Sequence, residues 1–161
     1  MAKDTVIKTS ELSKQYTKNL PYALNGLNLS VKQGEVFGFL GPNGAGKSTT
    51  IRLLLNFIQP TKGSATILGN DIAKDSVAIR SKVSYLSGDF KAYGKMTGKQ
   101  FLDYMSSLAS PKSKKYISEL ARMFDISLSK RIGDLSKGNR QKLGIIQAFM
   151  TDPDLYILDE P

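Results

Sequence analysis

The chain opens with short segments whose apolar residues fall at strand spacing. Residues 4–13 alternate loosely, while residues 27–31 (Leu-Asn-Leu-Ser-Val) alternate apolar and polar cleanly, as a strand with one buried face does. Gln33 and Gly34 then turn the chain. Residues 36–40 (Val-Phe-Gly-Phe-Leu) show no alternation, which predicts a strand covered on both faces inside a parallel sheet. A glycine-rich stretch follows, then a helical pattern over residues 47–57 that stops before Pro60. Further strands are expected over residues 64–68, bounded by Gly63 and Gly69, and over residues 82–86.

Helical spacing takes over downstream. Thr97 and Gln100 fit a capping box, and Phe101, Tyr104, Met105 and Leu108 fall on one face of the helix they open. Ile117, Leu120, Ala121 and Phe124 repeat that spacing after Pro111, and a third helix is expected over residues 139–150 with Leu143, Ile146 and Met150 inward. Residues 96–134 therefore read as a helical insertion between sheet strands. Residues 155–158 form a last buried strand, ending in Asp159 and Glu160. The methionines and aromatics of these helices read as core.

Composition narrows the class. At 161 residues, with 40% hydrophobic and 23% charged, the chain reads as one packed, soluble domain, possibly incomplete, and not as a disordered or disulfide-stapled one. No run is apolar enough for a membrane span, and the N-terminus lacks an export signal, so a cytoplasmic location is expected. The absence of cysteine excludes disulfides, thiolate zinc sites and cysteine nucleophiles, and the absence of histidine removes the commonest general base. Lys and Arg number 23 against 14 Asp and Glu; the formal net charge of +9 favours anionic partners without choosing among nucleotides, nucleic acid and acidic lipid.

The chemistry concentrates in one loop. Gly41, Pro42, Asn43, Gly44, Ala45, Gly46, Lys47 and Ser48, followed by Thr49, satisfy G-x-x-x-x-G-K-[ST] between a predicted strand and a predicted helix. Glycines permit close backbone approach, so successive amides can wrap phosphate oxygens at the positive end of the helix. Lys47 offers a mobile charge to the β- and γ-phosphates of ATP, and Ser48 a hydroxyl oxygen to Mg²⁺. Asp159, at the carboxyl end of a buried strand, is the expected second Mg²⁺ partner, through water. Glu160 has the chemistry needed to orient or deprotonate an attacking water.

Taken together, these segments resemble the ATP-binding subunit of ABC (ATP-binding cassette) transporters over residues 5–161. Leu135, Ser136, Lys137, Gly138, Asn139, Arg140 and Gln141 match the family's signature loop, with Lys137 and Asn139 as variants. Residues 155–161 match its Walker B strand, and Tyr16 stands where the family places an aromatic that stacks on adenine. Gly88 occupies a position where the family has a metal-contacting Gln or Glu, which makes Asp89, one residue on, the candidate substitute. These variations look like the bacterial exporter branch that includes bacitracin-type and multidrug pumps.

The resemblance implies an α/β P-loop NTPase fold of ABC type, with an N-terminal antiparallel β subdomain, a parallel core sheet and a helical insertion. It implies a Mg²⁺-dependent ATPase that powers export through a separate membrane permease at the inner face of the cell membrane. It also implies a partner ATP-binding subunit, an identical copy being expected, whose signature loop completes each ATP site in trans; nucleic acid is not an expected partner. Two alternatives remain: a soluble ABC-type ATPase acting on nucleic acid or ribosomes, and a nucleotide-binding fragment without turnover. Family members continue past Pro161 through an interface loop, a strand carrying a switch histidine and a closing helical segment. The expectation is thus a C-terminally truncated domain, weak or inactive in hydrolysis alone, lacking a strand between its phosphate-loop and Walker B strands.

Overall fold

Strand β1 (Thr5–Lys14) buries Val6, Ile7, Thr9, Leu12 and Ser13 while Thr5, Lys8, Ser10 and Glu11 face water, and it organises the first half of the chain. It pairs antiparallel with β2 (Leu24–Leu27), β3 (Ser30–Lys32) and β4 (Lys62–Ile67), and β5 (Asn70–Asp71) extends the sheet from β4. The computed structural model describes residues 4–109 and 111–161, in two compact units, one ending at Lys82 and the other spanning Val83–Pro161.

Residues 27–31 do not form the single strand their alternation predicts. Glu11 adopts φ 47° where the register of β1 against β4 shifts, between Ser10 and Ser13, and β3 pairs with β1 before it, from Thr5 to Lys8, while β2 pairs after it, at Leu12 and Lys14. Side chains replace the missing ladder bonds: Thr9 Oγ1 donates to Leu27 O and accepts the Leu29 N–H, each at 2.8 Å. Asn28 Oδ1 accepts the Glu11 N–H at 2.9 Å, and its amide donates to the Glu11 carboxylate. This is how a bulge is stabilised by polar residues that compete with the regular ladder.

Residues 36–40 also depart from expectation. They form no strand, and Val36 and Leu40 are 102% and 92% exposed. An unbroken apolar run is buried only when strands flank it and layers cover both faces; among the described residues no ladder reaches this one. Helix α1 (Lys47–Leu54) follows the glycine loop and ends three residues sooner than its spacing suggests. Asn56 takes the left-handed conformation at φ 56°, its N–H donates to Leu53 O, and the Phe57 N–H reaches back to Arg52 O at 2.8 Å. That is a Schellman stop with Asn in place of Gly. Helix α2 (Ser76–Arg80) and strand β5 are too short to leave a periodic signal.

In the second unit β6 (Val83–Leu86) and β7 (Leu155–Leu158) pair in parallel, Val83 opposite Leu155 and Leu86 opposite Leu158. Helices α3 (Gly98–Leu108), α4 (Lys114–Met123) and α5 (Lys137–Phe149) share a core that includes Phe101, Ile117, Leu120, Leu143 and Ile146. The Thr97–Gln100 capping box forms as expected. The buried stripe of α3 is nonetheless rotated: Leu102 is inside with Phe101, whereas Tyr104 and Leu108 are 41% and 65% exposed. Tyr104 instead packs edge-on against Tyr93, with ring centroids 6.1 Å apart. Helix α5 lies close on β6 because residue 144 is glycine; a Cβ there would fall 2.8 Å from both Leu86 Cδ1 and Phe90 Cγ. No helix among the described residues is long and apolar enough to cross a membrane.

Candidate nucleotide site

The glycine loop is shaped by its contact with the β1–β2 end of the first unit. Gly46 caps α1 at φ 89°, and a Cβ there would lie 2.7 Å from Ala23 O and 3.2 Å from Leu24 Cδ1. Ala23 is itself held, its N–H donating to Lys14 O at 2.8 Å. Only glycine allows both the left-handed turn and this approach. Gly46→Ala is therefore expected to lower the stability of the free protein by roughly 2 kcal/mol. Urea denaturation measures this, and an unchanged midpoint would contradict the packing.

Having no side chain, Gly46 cannot cap α1, and no acidic residue stands in the helix's first turn, so the leading amides and the helix dipole are left to an anion. Lys47 is the first residue of α1 and the one cation of the loop motif. Its ammonium curls over the loop and donates to Gly41 O at 2.7 Å and Pro42 O at 2.9 Å. The Ala45 N–H closes a turn on Pro42 O at 3.1 Å, and the buried Thr50 hydroxyl ties Gly46 O at 2.9 Å from below. Thr50 has no place in the sequence motif; its burial against the loop shows only in three dimensions. Ser48 is exposed, and Thr49 Oγ1 lies 3.4 Å from Tyr16 Oη, which brings the aromatic ring to the rim of the loop. Asn43 and Gly44 form the exposed loop crest.

The remaining candidates lie in the second unit. The Asp159 N–H donates to Leu86 O at 2.9 Å, continuing the β6–β7 ladder one step past β7 and fixing the half-buried Asp159 at the strand's carboxyl end. Glu160 follows at φ 50° with its side chain in solvent. Gly88 packs against Asp159: a Cβ would meet Asp159 O at 3.1 Å and Asp159 Cγ at 3.6 Å. A side chain at 88 would therefore crowd the Asp159 carbonyl, with the carboxylate carbon at ordinary contact distance. Asp89 pairs with Lys91 at 2.9 Å, both side chains largely exposed, and the hydrogen bond and charge of Asp89 hold the Lys91 ammonium above its usual range. Any cation approaching Asp89 has to compete with that ammonium. Among the described residues no cluster of three carboxylates could hold a metal alone.

The signature stretch splits by role. Leu135 is buried in the helical core. Ser136 caps α5, its hydroxyl accepting the Asn139 N–H at 3.2 Å, while Lys137 and Gly138 are exposed and nothing lies within 4 Å of a Cβ at Gly138. The first turn of α5 carries no acid, so this end too is open to an anion approaching from outside. Arg140 turns back to Leu135 O. Gln141 Nε2 donates to Glu160 O at 3.1 Å, joining α5 to the loop after β7; no spacing rule announces that bond.

The family model of ABC transporters matches residues 24–161, spanning the phosphate loop, the signature stretch and the Asp159–Glu160 strand end. The chain belongs to the ABC transporter ATP-binding family. It is 35% identical over 163 residues to the probable multidrug ABC transporter ATP-binding protein YbhF of Escherichia coli (strain K12), covering 98% of this chain and 28% of that protein. It is 36% identical over 159 residues to the bacitracin transport ATP-binding protein BcrA of Bacillus licheniformis, covering 98% of this chain and 51% of the other. The chain thus spans about half the length, or less, of these curated relatives. Among solved structures, an ATP-binding subunit of an ABC transporter superposes with a TM-score of 0.82 at 29% identity, over 96% of this chain and 65% of that one. A putative ABC transporter ATP-binding protein from Pyrococcus furiosus gives the same TM-score at 25% identity, over 96% and 75%. The ABC ATPase fold expected from the sequence is therefore the fold of the family to which the chain belongs.

Proposed function

We propose that this chain supplies the ATP-binding and hydrolysing part of an export-type ABC transporter, working with a second ATP-binding subunit and a membrane permease. The observation that carries the reading is the phosphate loop: Gly46 turning left-handed against Ala23 at the head of an uncapped helix, with Lys47 folded over the loop carbonyls. In this reading Lys47 leaves Gly41 and Pro42 for the β- and γ-phosphates, and residues 41–49 wrap the phosphate chain. Tyr16 receives the adenine ring. Bound Mg²⁺ would supply charge neutralisation on the phosphates during transfer. Ser48 would offer that cation its hydroxyl and Asp159 its carboxylate, with Asp89 available only after release from Lys91. Glu160 accepts the proton of the attacking water.

Ser136 and Gly138 face outward, which supports their use on a nucleotide held by another subunit. An aromatic surface in the second unit supports a further partner: Tyr93 is 59% exposed and Tyr104 and Leu108 are also in water, beside a cleft of about 470 Å³ lined by Phe90, Phe101, Met105 and Gln147. That surface suits the permease. The names of the bacitracin transport and multidrug ABC transporter relatives support a transport role; export, at the inner face of the membrane, is the proposal's own extension of it.

Light scattering on a full-length Glu160→Gln protein tests the head-to-tail arrangement. Saturating Mg-ATP is expected to double the measured mass, and removal of ATP to halve it again. A protein that remains monomeric at saturation would argue against the trans signature.

A further inference from the structure

The adenine ring, on the reading above, needs a flat aromatic surface held still, and the first unit contains more machinery for this than Tyr16 itself. Lys14, the last residue of β1, places its ammonium 5.5 Å from the centroid of the Tyr16 ring. The same Nζ donates to Gln59 O at 2.7 Å, so the long side chain is anchored at its tip. Its backbone is fixed too, Lys14 O accepting the Ala23 N–H on the strand end that supports Gly46. Gln15, between the two, bonds Thr61 through its backbone, and its amide donates to Lys18 O at 3.0 Å and Leu20 O at 2.7 Å, bracing the turn that carries Tyr16. At the far end of the ring the hydroxyl meets Thr49. One face of the ring is therefore backed by a cation, its edge is tethered to α1, and 53% of the residue stays in water.

An ammonium on one face of a phenol ring is attracted by the ring's negative quadrupole and fixes the ring plane. It also draws electron density away from the opposite face, where an electron-rich purine would stack. We propose that Lys14 is a positioning residue for nucleobase recognition: held by the Gln59 carbonyl, it presets the Tyr16 ring and strengthens its stacking on adenine. This inference rests on the nucleotide reading of the phosphate loop and concerns the base alone, so the two can fail separately.

The test compares ATP with inorganic tripolyphosphate, which keeps the phosphates and lacks the base. Both are titrated with Mg²⁺ into the wild-type chain and into Lys14→Met, Lys14→Arg, Tyr16→Leu and the Lys14→Met/Tyr16→Leu double variant. Methionine keeps the apolar stem without the charge, and arginine restores a cation that can lie on the ring. Lys14→Met is expected to weaken ATP roughly two- to fivefold and leave tripolyphosphate unchanged. Lys14→Arg should bind ATP like wild type, and in the Tyr16→Leu background the Lys14→Met effect should vanish. Unchanged ATP affinity in Lys14→Met would overturn the proposal, as would an equal loss for both ligands, which would mark Lys14 as a general charge. A wild-type protein that binds ATP no better than tripolyphosphate would refute base recognition and leave the phosphate loop intact. Binding of neither ligand would refute both.

Discussion

Replacing Lys47 by alanine is expected to weaken Mg-ATP binding about 100-fold while leaving the fold in place. The ammonium is the one mobile cation on the loop motif, already within 2.9 Å of two loop carbonyls, and charge-assisted bonds to phosphate contribute about 1.5–3 kcal/mol each. Two such bonds at the lower figure correspond to roughly two decades in affinity. The carbonyls of Gly41 and Pro42 are on exposed residues, so water can replace the lost donor and the free protein should melt within a few degrees of wild type. Calorimetric titration beside a thermal scan separates the two effects. An affinity equal to wild type would remove the basis for placing a triphosphate here.

On the proposed function, Glu160→Gln should lower ATP turnover by about 10²- to 10³-fold in the protein reconstituted with the proposed membrane partner, with ATP affinity preserved. The replacement keeps the size of the side chain and removes only its ability to take a proton. Two structural features make it a clean substitution. The side chain is exposed, and the contact that fixes the residue is its backbone carbonyl on Gln141, which the replacement does not touch. Single-turnover phosphate release is the appropriate measurement, and turnover surviving at the wild-type rate would transfer the role of base to another group.

Much of this site could be read from residue order. The loop from Gly41 to Ser48 declares itself because chemistry demands those residue types at fixed intervals, and the capping pair Thr97 and Gln100 for a similar local reason. Strands β1, β6 and β7 and the inward faces of α4 and α5 were equally legible, each being set by apolar spacing within one segment. What could not be read depends on partners distant in sequence. The division of residues 27–31 comes from Glu11, Thr9 and Asn28 meeting across a bulge. The state of residues 36–40 depends on strands that the segment's own composition cannot supply. The rotated stripe of α3 reflects the attraction of Tyr104 for Tyr93. Within the site, the support of Gly46 by Ala23 and of Glu160 by Gln141 joins segments distant in sequence, and Lys14, two residues before Tyr16, is held over the ring by the distant Gln59 carbonyl; none of these follows from a motif.

The uncovered run at residues 36–40 has a colloidal consequence. The run is uncharged and rich in β-formers, four of its five residues stand in water with Phe39 half-buried, and among the described residues no ladder pairs its backbone, the chemical character of a segment that seeds edge-to-edge association between copies. Against it stands the chain's formal charge of +9, which keeps molecules apart only while their fields reach one another. At about 0.15 M salt that reach shrinks to roughly 8 Å. Shelf life in a concentrated sample is thus a contest between one sticky pentapeptide and long-range repulsion, and ionic strength decides the winner.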